Sequence, residues 1–115
     1  MHKQLTVWTL AIESVTDIYT LTKSFPTDER YGLTNQIRRA SVSIPSNIAE
    51  GAARQGNKEF IQFLYIALGS CAEVETQLMI AQNLNYGNHK LALEKNEQIK
   101  KMLQGLIKHR KSKNV

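Results

Sequence analysis

The stretch QIRRASVSIPSNIAEG, Gln36–Gly51, has the apolar spacing of an α-helix but contains a proline in its middle. Pro45 removes one backbone donor and clashes with the carbonyl of Ser41, at a cost of about 3 kcal/mol in a regular helix. Because helical spacing continues on both sides of Pro45, we expect the helix to pass through it with a bend. Asn47 lies at the edge of the apolar stripe, so we expect its amide to hydrogen-bond to a neighbouring helix.

Two adjacent arginines, Arg38 and Arg39, project about 100° apart on this helix, so neither can replace the other. One role is an ion pair with Glu73 or Glu75 of the third helical segment, or with an acidic residue of a neighbouring subunit. Arginine suits such partly buried pairs because its planar guanidinium binds a carboxylate with two hydrogen bonds. The alternative role is contact with a phosphate, and the residue types favour the structural one.

Four segments of the chain have helical periodicity, and none has convincing strand alternation. They span residues 3–24, 33–53, 57–85 and 88–109, and a basic tail follows at residues 110–115. Four helices with short connections predict one all-α domain over residues 1–115. The expected architecture is an antiparallel up-down-up-down four-helix bundle with a kinked second helix.

Residue types also predict where these helices begin and end. Thr34 and Asn57 are good N-cap residues for the second and third helices, since a side-chain oxygen can accept from a free backbone N–H. Gly87 suits a left-handed position after the third helix. The tail from Arg110 onward is expected to fray.

The first helix has two apolar stripes, although a helix at a simple protein surface needs only one. One stripe consists of Leu5, Trp8, Ile12, Val15 and Tyr19. The other consists of Val7, Ala11, Ile18, Leu21 and Phe25. The surplus apolar surface predicts a homo-oligomer, in which helical faces pack against neighbouring subunits. The residues assigned to assembly or structure are Arg38, Arg39, Val42, Pro45, Asn47, Ala49, Glu50 and Ala53.

Positive charge is concentrated in the last quarter of the chain. Residues 1–87 contain seven Lys and Arg against eight Asp and Glu, a balance of −1, whereas residues 88–115 contain eight against two, a balance of +6. Such a segment is either a positively charged binding surface for nucleic acid or the solvent-exposed end and tail of a helix. The candidate nucleic-acid-binding residues are Lys100, Lys101, Lys108, Arg110, Lys111, Lys113, Arg54 and Lys58.

The sequence contains no pattern that supports catalysis, a metal site or a cofactor. His2, His89 and His109 are scattered, and no Glu-x-x-His pair of the kind found in metal-binding bundles occurs. Cys71, the single cysteine, lies on the core stripe of the third helix and has no base in a suitable position. We therefore expect a protein that is not an enzyme. The single cysteine and the lack of a signal peptide or membrane span predict a cytoplasmic protein.

Residues 24–51, SFPTDERYGLTNQIRRASVSIPSNIAEG, closely resemble the signature of the bacterial four helix bundle protein family. This family includes proteins encoded within intervening sequences of 23S rRNA genes. The stretch FLYIALGSCAEVETQL, residues 63–78, is similar to the family's third helix, and Ser41 and Cys71 are mild departures. The resemblance implies a bundle that assembles as a ring-like homopentamer. Similarity to the accessory protein of diversity-generating retroelements further implies binding to nucleic acid and to a reverse transcriptase.

Two hypotheses follow from the sequence. The first is a non-enzymatic homo-oligomer that binds RNA or DNA without sequence preference, through positive charge repeated around a ring. The second is a protein–protein adaptor that docks a nucleic-acid enzyme, such as a polymerase or nuclease, without touching nucleic acid itself.

Overall fold

The computed structural model describes residues 2–113, so Met1 and the last two residues of the predicted tail, Asn114 and Val115, lie outside it. The described chain is all-α, as predicted, with a single 3₁₀ turn and no strand. Its elements are α1 (His2–Thr22), the 3₁₀ turn (Thr27–Glu29), α2 (Leu33–Ala52), α3 (Asn57–Asn83) and α4 (Lys90–Ser112). The helices differ from their predicted bounds by at most a few residues at each end.

Each helix packs against the next one in the chain, and α4 closes the bundle by packing on α1. Among the described residues the backbones of α1 and α3 do not approach each other closely, so these helices occupy diagonally opposite corners and meet only through core side chains. The ammonium of Lys95 near the start of α4 lies 2.6 Å from the carboxylate of Asp17 near the end of α1. Asn57 at the start of α3 donates to the carbonyl of Arg110 near the end of α4, at 2.8 Å. These contacts join the start of one helix to the end of its neighbour.

Only one of the two apolar stripes of α1 enters the core. Val7, Ala11 and Ile18 are at most 1% exposed and pack with the isoleucines of α2 and the leucines of α3. The other stripe remains on the outside, with exposed fractions of 56% for Leu5, 37% for Trp8, 42% for Ile12 and 41% for Tyr19. A large apolar surface is therefore left without a partner within one chain.

Helix α2 continues through Pro45, which is buried. The hydroxyl of Ser41 donates to the carbonyl of Arg38 at 2.8 Å, and the amide of Asn47 donates to the carbonyl of Ser43 at 2.8 Å. Side chains thus supply hydrogen bonds on both sides of the proline, as local serine and asparagine bonds commonly do. The bend at Pro45 stays a prediction.

The amide of Asn47 reaches α3 through an intermediate serine. Its Nδ2 donates to Oγ of Ser43 at 2.9 Å, and the hydroxyl of Ser70 on α3 donates to the same Oγ at 2.8 Å. We expected a direct bond from Asn47 to the neighbouring helix. The bridge instead forms through Ser43, because that serine lies nearer to α3 than Asn47 does.

The connector between α1 and α2 is fixed by Glu29, which the sequence analysis did not single out. One carboxylate oxygen of Glu29 accepts from the backbone N–H of Leu33 at 3.0 Å, and the other accepts from the hydroxyl of Tyr86 at 2.9 Å. The predicted N-cap Thr34 is wrong, since α2 begins at Leu33, Gly32 is its N-cap and Thr34 lies within the helix. The free N–H at the helix start is satisfied by a carboxylate four residues upstream, which also ties down the α3–α4 loop.

The turn after α3 uses asparagine in the position that we predicted for glycine. Asn85 has a φ of 64°, and the N–H of Tyr86 bonds to the carbonyl of Ala81 at 2.8 Å. This is the bond that closes a helix with a left-handed residue. Gly87 also has a positive φ, of 111°, but it lies two residues further along the turn.

By length and composition α3 is the one described helix that could span a membrane, with a mean hydropathy of 1.2 over its most apolar window. In the bundle it packs against α2 and α4 and provides nine buried residues, so it is a core helix. Cys71 is one of them and is 0% exposed. Burial raises the pKa of its thiol to about 12, so the reactive thiolate is scarce at neutral pH.

Gly51 allows α2 to approach α3 closely. A Cβ at this position would lie 2.7 Å from Cβ of Phe63 and 2.9 Å from Cδ1 of Phe60. We predict that Gly51→Ala lowers the free energy of unfolding by about 1–3 kcal/mol, the usual cost of overpacking a core. Gly105→Ala is the matched control, because nothing lies within 4 Å of its added Cβ and alanine favours a helix. Urea unfolding should show Gly105→Ala to be neutral or stabilising; equal effects would contradict the close approach.

Glu29 should make stability depend on pH. The Leu33 N–H, and next the Tyr86 hydroxyl, lower the pKa of Glu29 below its usual value of 4.5. Because the folded pKa is the lower one, ionised Glu29 stabilises the fold above about pH 4.5, and this contribution is lost as pH falls through the folded pKa. Glu29→Gln should therefore show a smaller drop in urea midpoint than the wild type between about pH 6 and about pH 3. Asp28→Asn removes a neighbouring exposed carboxylate; an identical loss of pH dependence there would contradict this role.

Candidate nucleic-acid interface

Cations from all four helical segments meet at one end of the bundle, where α1 and α3 start and α2 and α4 end. We call this surface the basic end, and it consists of Lys3, Arg54, Lys58, Lys108, Arg110, Lys111 and Lys113. A polar cleft lined by Gln4, Arg54, Asn57 and Arg110 joins the four segments there. The seven cations outnumber the two nearby carboxylates, Glu50 and Glu59, by five. The end of the bundle therefore has a marked positive charge.

The histidine at this end responds to the same positive field. The pKa of His109 is lowered chiefly by the charge of Lys3, ahead of burial and of the charges of Lys113 and Arg110. Lys3 belongs to α1 and His109 to α4. The lowered pKa of His109 therefore reflects positive charges that are far apart in the sequence but close together in the fold. The proximity of Lys3 could not be inferred from the charge count of the last quarter alone.

Six of the eight candidate nucleic-acid-binding residues lie at the basic end. Lys58, Lys108, Lys111 and Lys113 are exposed there. Lys100 and Lys101 lie in the middle of α4, away from this end, and the ammonium of Lys100 is 3.9 Å from the carboxylate of Glu97. The structure therefore does not bring these two lysines together with the other six.

The two arginines of the basic end make structural contacts. The guanidinium of Arg110 lies 4.6 Å from the centre of the Phe60 ring, and 3.4 Å from oxygens of Asn57 and Gln4. That of Arg54 is 2.9 Å from the carboxylate of Glu50. Arg54 and Arg110 thus order the surface, and the exposed lysines remain available to a ligand.

The contacts of Arg110 also explain why α4 is longer than expected. We predicted that the helix ends at His109 and that the tail frays, but α4 continues to Ser112. Asn57 donates to the carbonyl of Arg110, and the Lys111 ammonium lies 5.1 Å from the centre of the Tyr65 ring. Asn57 therefore serves the end of α4, and its predicted role as N-cap of α3 is wrong, since Gly56 occupies that position.

Tyr65 is a further component of this surface and is not among the candidate nucleic-acid-binding residues. It is 46% exposed and lines a groove of about 400 Å³ between α3 and α4. The other lining residues are Leu68, Gln104, Ile107, Lys108 and Lys111. An exposed aromatic ring beside two lysines combines the two features that single-stranded nucleic acids bind, stacking surface and positive charge. A helical wheel places Tyr65 about 120° from Cys71, a signal that it lies at the edge of the core stripe.

Arg38 and Arg39 lie far from the basic end, on the first half of α2. Nε of Arg38 donates to Oγ1 of Thr22 at 2.9 Å, and its guanidinium lies 4.6 Å from the centre of the Tyr19 ring. Arg39 is exposed and lines a cleft with Glu73. Among the described residues no carboxylate lies within 4.0 Å of either guanidinium, so the predicted ion pairs with Glu73 or Glu75 do not form within one chain.

The remaining residues assigned to assembly or structure divide into two groups. Val42 and Ala49 are exposed on α2 and Ala53 is exposed directly after it, whereas Pro45 is buried and Asn47 half-buried. Glu50 is exposed and pairs with Arg54 of the same chain, as described above. Residues 2–113 also contain no group of three His, Cys, Asp or Glu side chains that could hold a metal ion.

Comparison with known proteins identifies the family. The model of the 23S rRNA-intervening sequence protein family matches residues 3–106. A crystal structure from Bacteroides thetaiotaomicron, of a protein with unknown function from the S23 ribosomal protein family, has 27% sequence identity and a TM-score of 0.85. The match covers 92% of this chain and 98% of that chain. No curated protein matches. Since the family model spans most of the chain, from α1 into α4, this protein belongs to the 23S rRNA-intervening sequence protein family.

Proposed function

We propose that this protein is a non-enzymatic, self-associating four-helix bundle of the cytoplasm that binds RNA or DNA without sequence preference through its basic end. The observation that carries the proposal is the convergence of seven cations from four segments beside an exposed tyrosine. Exposed lysines suit phosphate oxygens, which are the same in every nucleic-acid sequence.

Self-association increases the effect of each contact. A single basic end offers a few lysines, which bind phosphate weakly at physiological salt. The family resemblance implies a ring-like pentamer. In such a ring each subunit adds one basic end. Once the first end has bound, the others bind the same strand as an intramolecular step, so overall affinity rises by avidity.

An adaptor function is the second candidate, and the exposed apolar residues favour it. Leu5, Trp8 and Ile12 form a surface that could dock a nucleic-acid enzyme. In that case complex formation would resist nuclease and high salt, because burial of apolar surface is insensitive to counterions. Nucleic-acid binding would then be weak and unaffected by loss of the lysines.

Neutralising two lysines of the basic end tests the leading proposal. We predict that Lys108→Gln with Lys111→Gln weakens binding to a fluorescent single-stranded RNA and flattens its salt dependence. Each lost phosphate contact should reduce the slope of log K against log salt by about 0.7, hence by about 1.4 for the pair. Fluorescence anisotropy over a range of salt concentrations measures both quantities.

The matched control removes the same charge from the opposite end of the bundle. Lys23→Gln with Lys90→Gln lowers the net charge equally, at the end of α1 and the start of α4. This control should keep the wild-type slope. Equal losses in the two double variants would mean that net charge alone governs binding, and absence of binding at low salt would overturn the proposal.

A further inference from the structure

The groove between α3 and α4, which we call the Tyr65 groove, has an aromatic ring on one wall and two cations on the other. Tyr65 and Leu68 belong to α3, whereas Gln104, Ile107, Lys108 and Lys111 belong to α4. Leu68 is half-buried and Ile107 is 5% exposed, so the space between the walls is apolar at its base. None of the six lining residues is acidic. A flat apolar ring and positive charge are therefore offered to the same ligand.

We propose that the Tyr65 groove takes up one unstacked base of a single-stranded nucleic acid, so that the protein prefers single strands to duplexes. This inference rests on the proposed function and specifies the substrate class of the same site. Tyr65 is the specificity-determining residue, because the base stacks on its ring. Lys108 and Lys111 bind the phosphates on either side of that base.

The ring and the two cations match the two parts of a nucleotide. Lys108 and Lys111 are three residues apart, so their side chains are neighbours on one face of α4. The ammonium of Lys111 lies 5.1 Å from the centre of the Tyr65 ring, which places charge directly beside the stacking surface. In a nucleic acid every flat base is likewise linked to a phosphate a short distance away. One nucleotide can therefore engage the ring and a cation together.

The ammonium over the Tyr65 ring is readily replaced by a base. Lys111 is exposed, and its charge is carried on a flexible four-carbon stem. A cation–π contact at an exposed site is weaker than the stacking of a base on an aromatic ring. When the base covers the ring, the ammonium moves to the neighbouring phosphate and forms a charge-assisted hydrogen bond there. Binding thus exchanges one weak contact for two stronger ones.

A duplex cannot use the Tyr65 ring in this way. Its bases are stacked on one another, and its grooves present only their edges. Extruding a base to free its flat face costs the energy of unstacking and unpairing. Lys108 and Lys111 contact phosphates of either form, whereas Tyr65 adds affinity for single strands alone. Because every base has such a face, this preference requires no particular sequence.

The large groove at the opposite end of the bundle is less suited to a nucleic acid. It measures about 840 Å³ between α1 and α4, and its lining includes the carboxylates of Asp17 and Glu94. The ammonium of Lys95 in this groove is already 2.6 Å from the carboxylate of Asp17. Carboxylates there repel phosphate, so size alone does not select the binding groove.

Removing bases from the ligand tests the proposal on the wild-type protein. The probes are two fluorescent single-stranded oligothymidylates of equal length, one of which lacks the bases of its central nucleotides. Both strands have the same phosphates, so their salt dependence should be the same. Fluorescence anisotropy should show that the complete strand binds at least about fivefold more tightly, the lower limit for stacking one base on an aromatic ring.

Variants of the ring assign this difference to Tyr65. Tyr65→Ala should bind the complete strand at least about fivefold more weakly and leave binding to the abasic strand and to a duplex unchanged. Tyr65→Phe keeps a stacking surface and should behave like the wild type. Tyr31→Ala is the matched control, because Tyr31 is 87% exposed in the connector at the opposite end of the bundle. Thermal unfolding checks that each variant is folded.

Equal affinity of the wild type for the complete and abasic strands would overturn this inference, since the protein would then recognise charge alone. A duplex bound as tightly as the complete single strand would also overturn it. Both results would leave binding through the basic end intact. Failure to bind any of these probes at low salt would instead overturn the proposed function.

Discussion

A helix in a four-helix bundle can bury only the side that faces its neighbours, and α1 has apolar residues on two sides. The interior accepts Val7, Ala11 and Ile18, which leaves Trp8 and Ile12 on the surface. Exposed side chains of this size, arranged along one helix, cost solubility unless another surface covers them. The exposed stripe of α1 is therefore the feature on which the proposed self-association, and through it the proposed function, depends.

The basic end and the exposed stripe of α1 occupy different parts of the bundle. The lysines lie where α4 ends and where α1 and α3 begin, whereas Leu5, Trp8, Ile12 and Tyr19 run along the side of α1. Self-association through the side of the bundle, as proposed, would leave the basic end free. In a ring with rotational symmetry every basic end would lie on the same side, and positive charge from all the subunits would form one surface. The packing of Arg110 on Phe60 supports the basic end, because it holds the last turns of α4 against α3.

Much of the fold could be predicted from the sequence, because helical periodicity depends only on residues close together in the chain. The four helices, the core isoleucines of α2 and the buried Cys71 follow from that spacing. Periodicity could not decide which stripe of α1 is the inner one, since both have similar composition. It also could not find Glu29, whose role depends on Leu33 and Tyr86 being brought together by the fold. The basic lysines of α4 were predictable from charge, but their grouping with Lys3 and Tyr65 required the packing of distant helices.

Trp8 is the single tryptophan of the chain and lies on the exposed stripe of α1, so its fluorescence reports directly on whether that stripe is covered. The decisive measurement is acrylamide quenching of Trp8 emission over a range of protein concentrations, with the mass followed by light scattering in the same samples. We predict a blue-shifted, protected Trp8 in the oligomer, and a red-shifted, readily quenched Trp8 once dilution has lowered the mass to that of one subunit. Free quenching of Trp8 in the fully assembled protein would contradict an interface on the exposed stripe of α1.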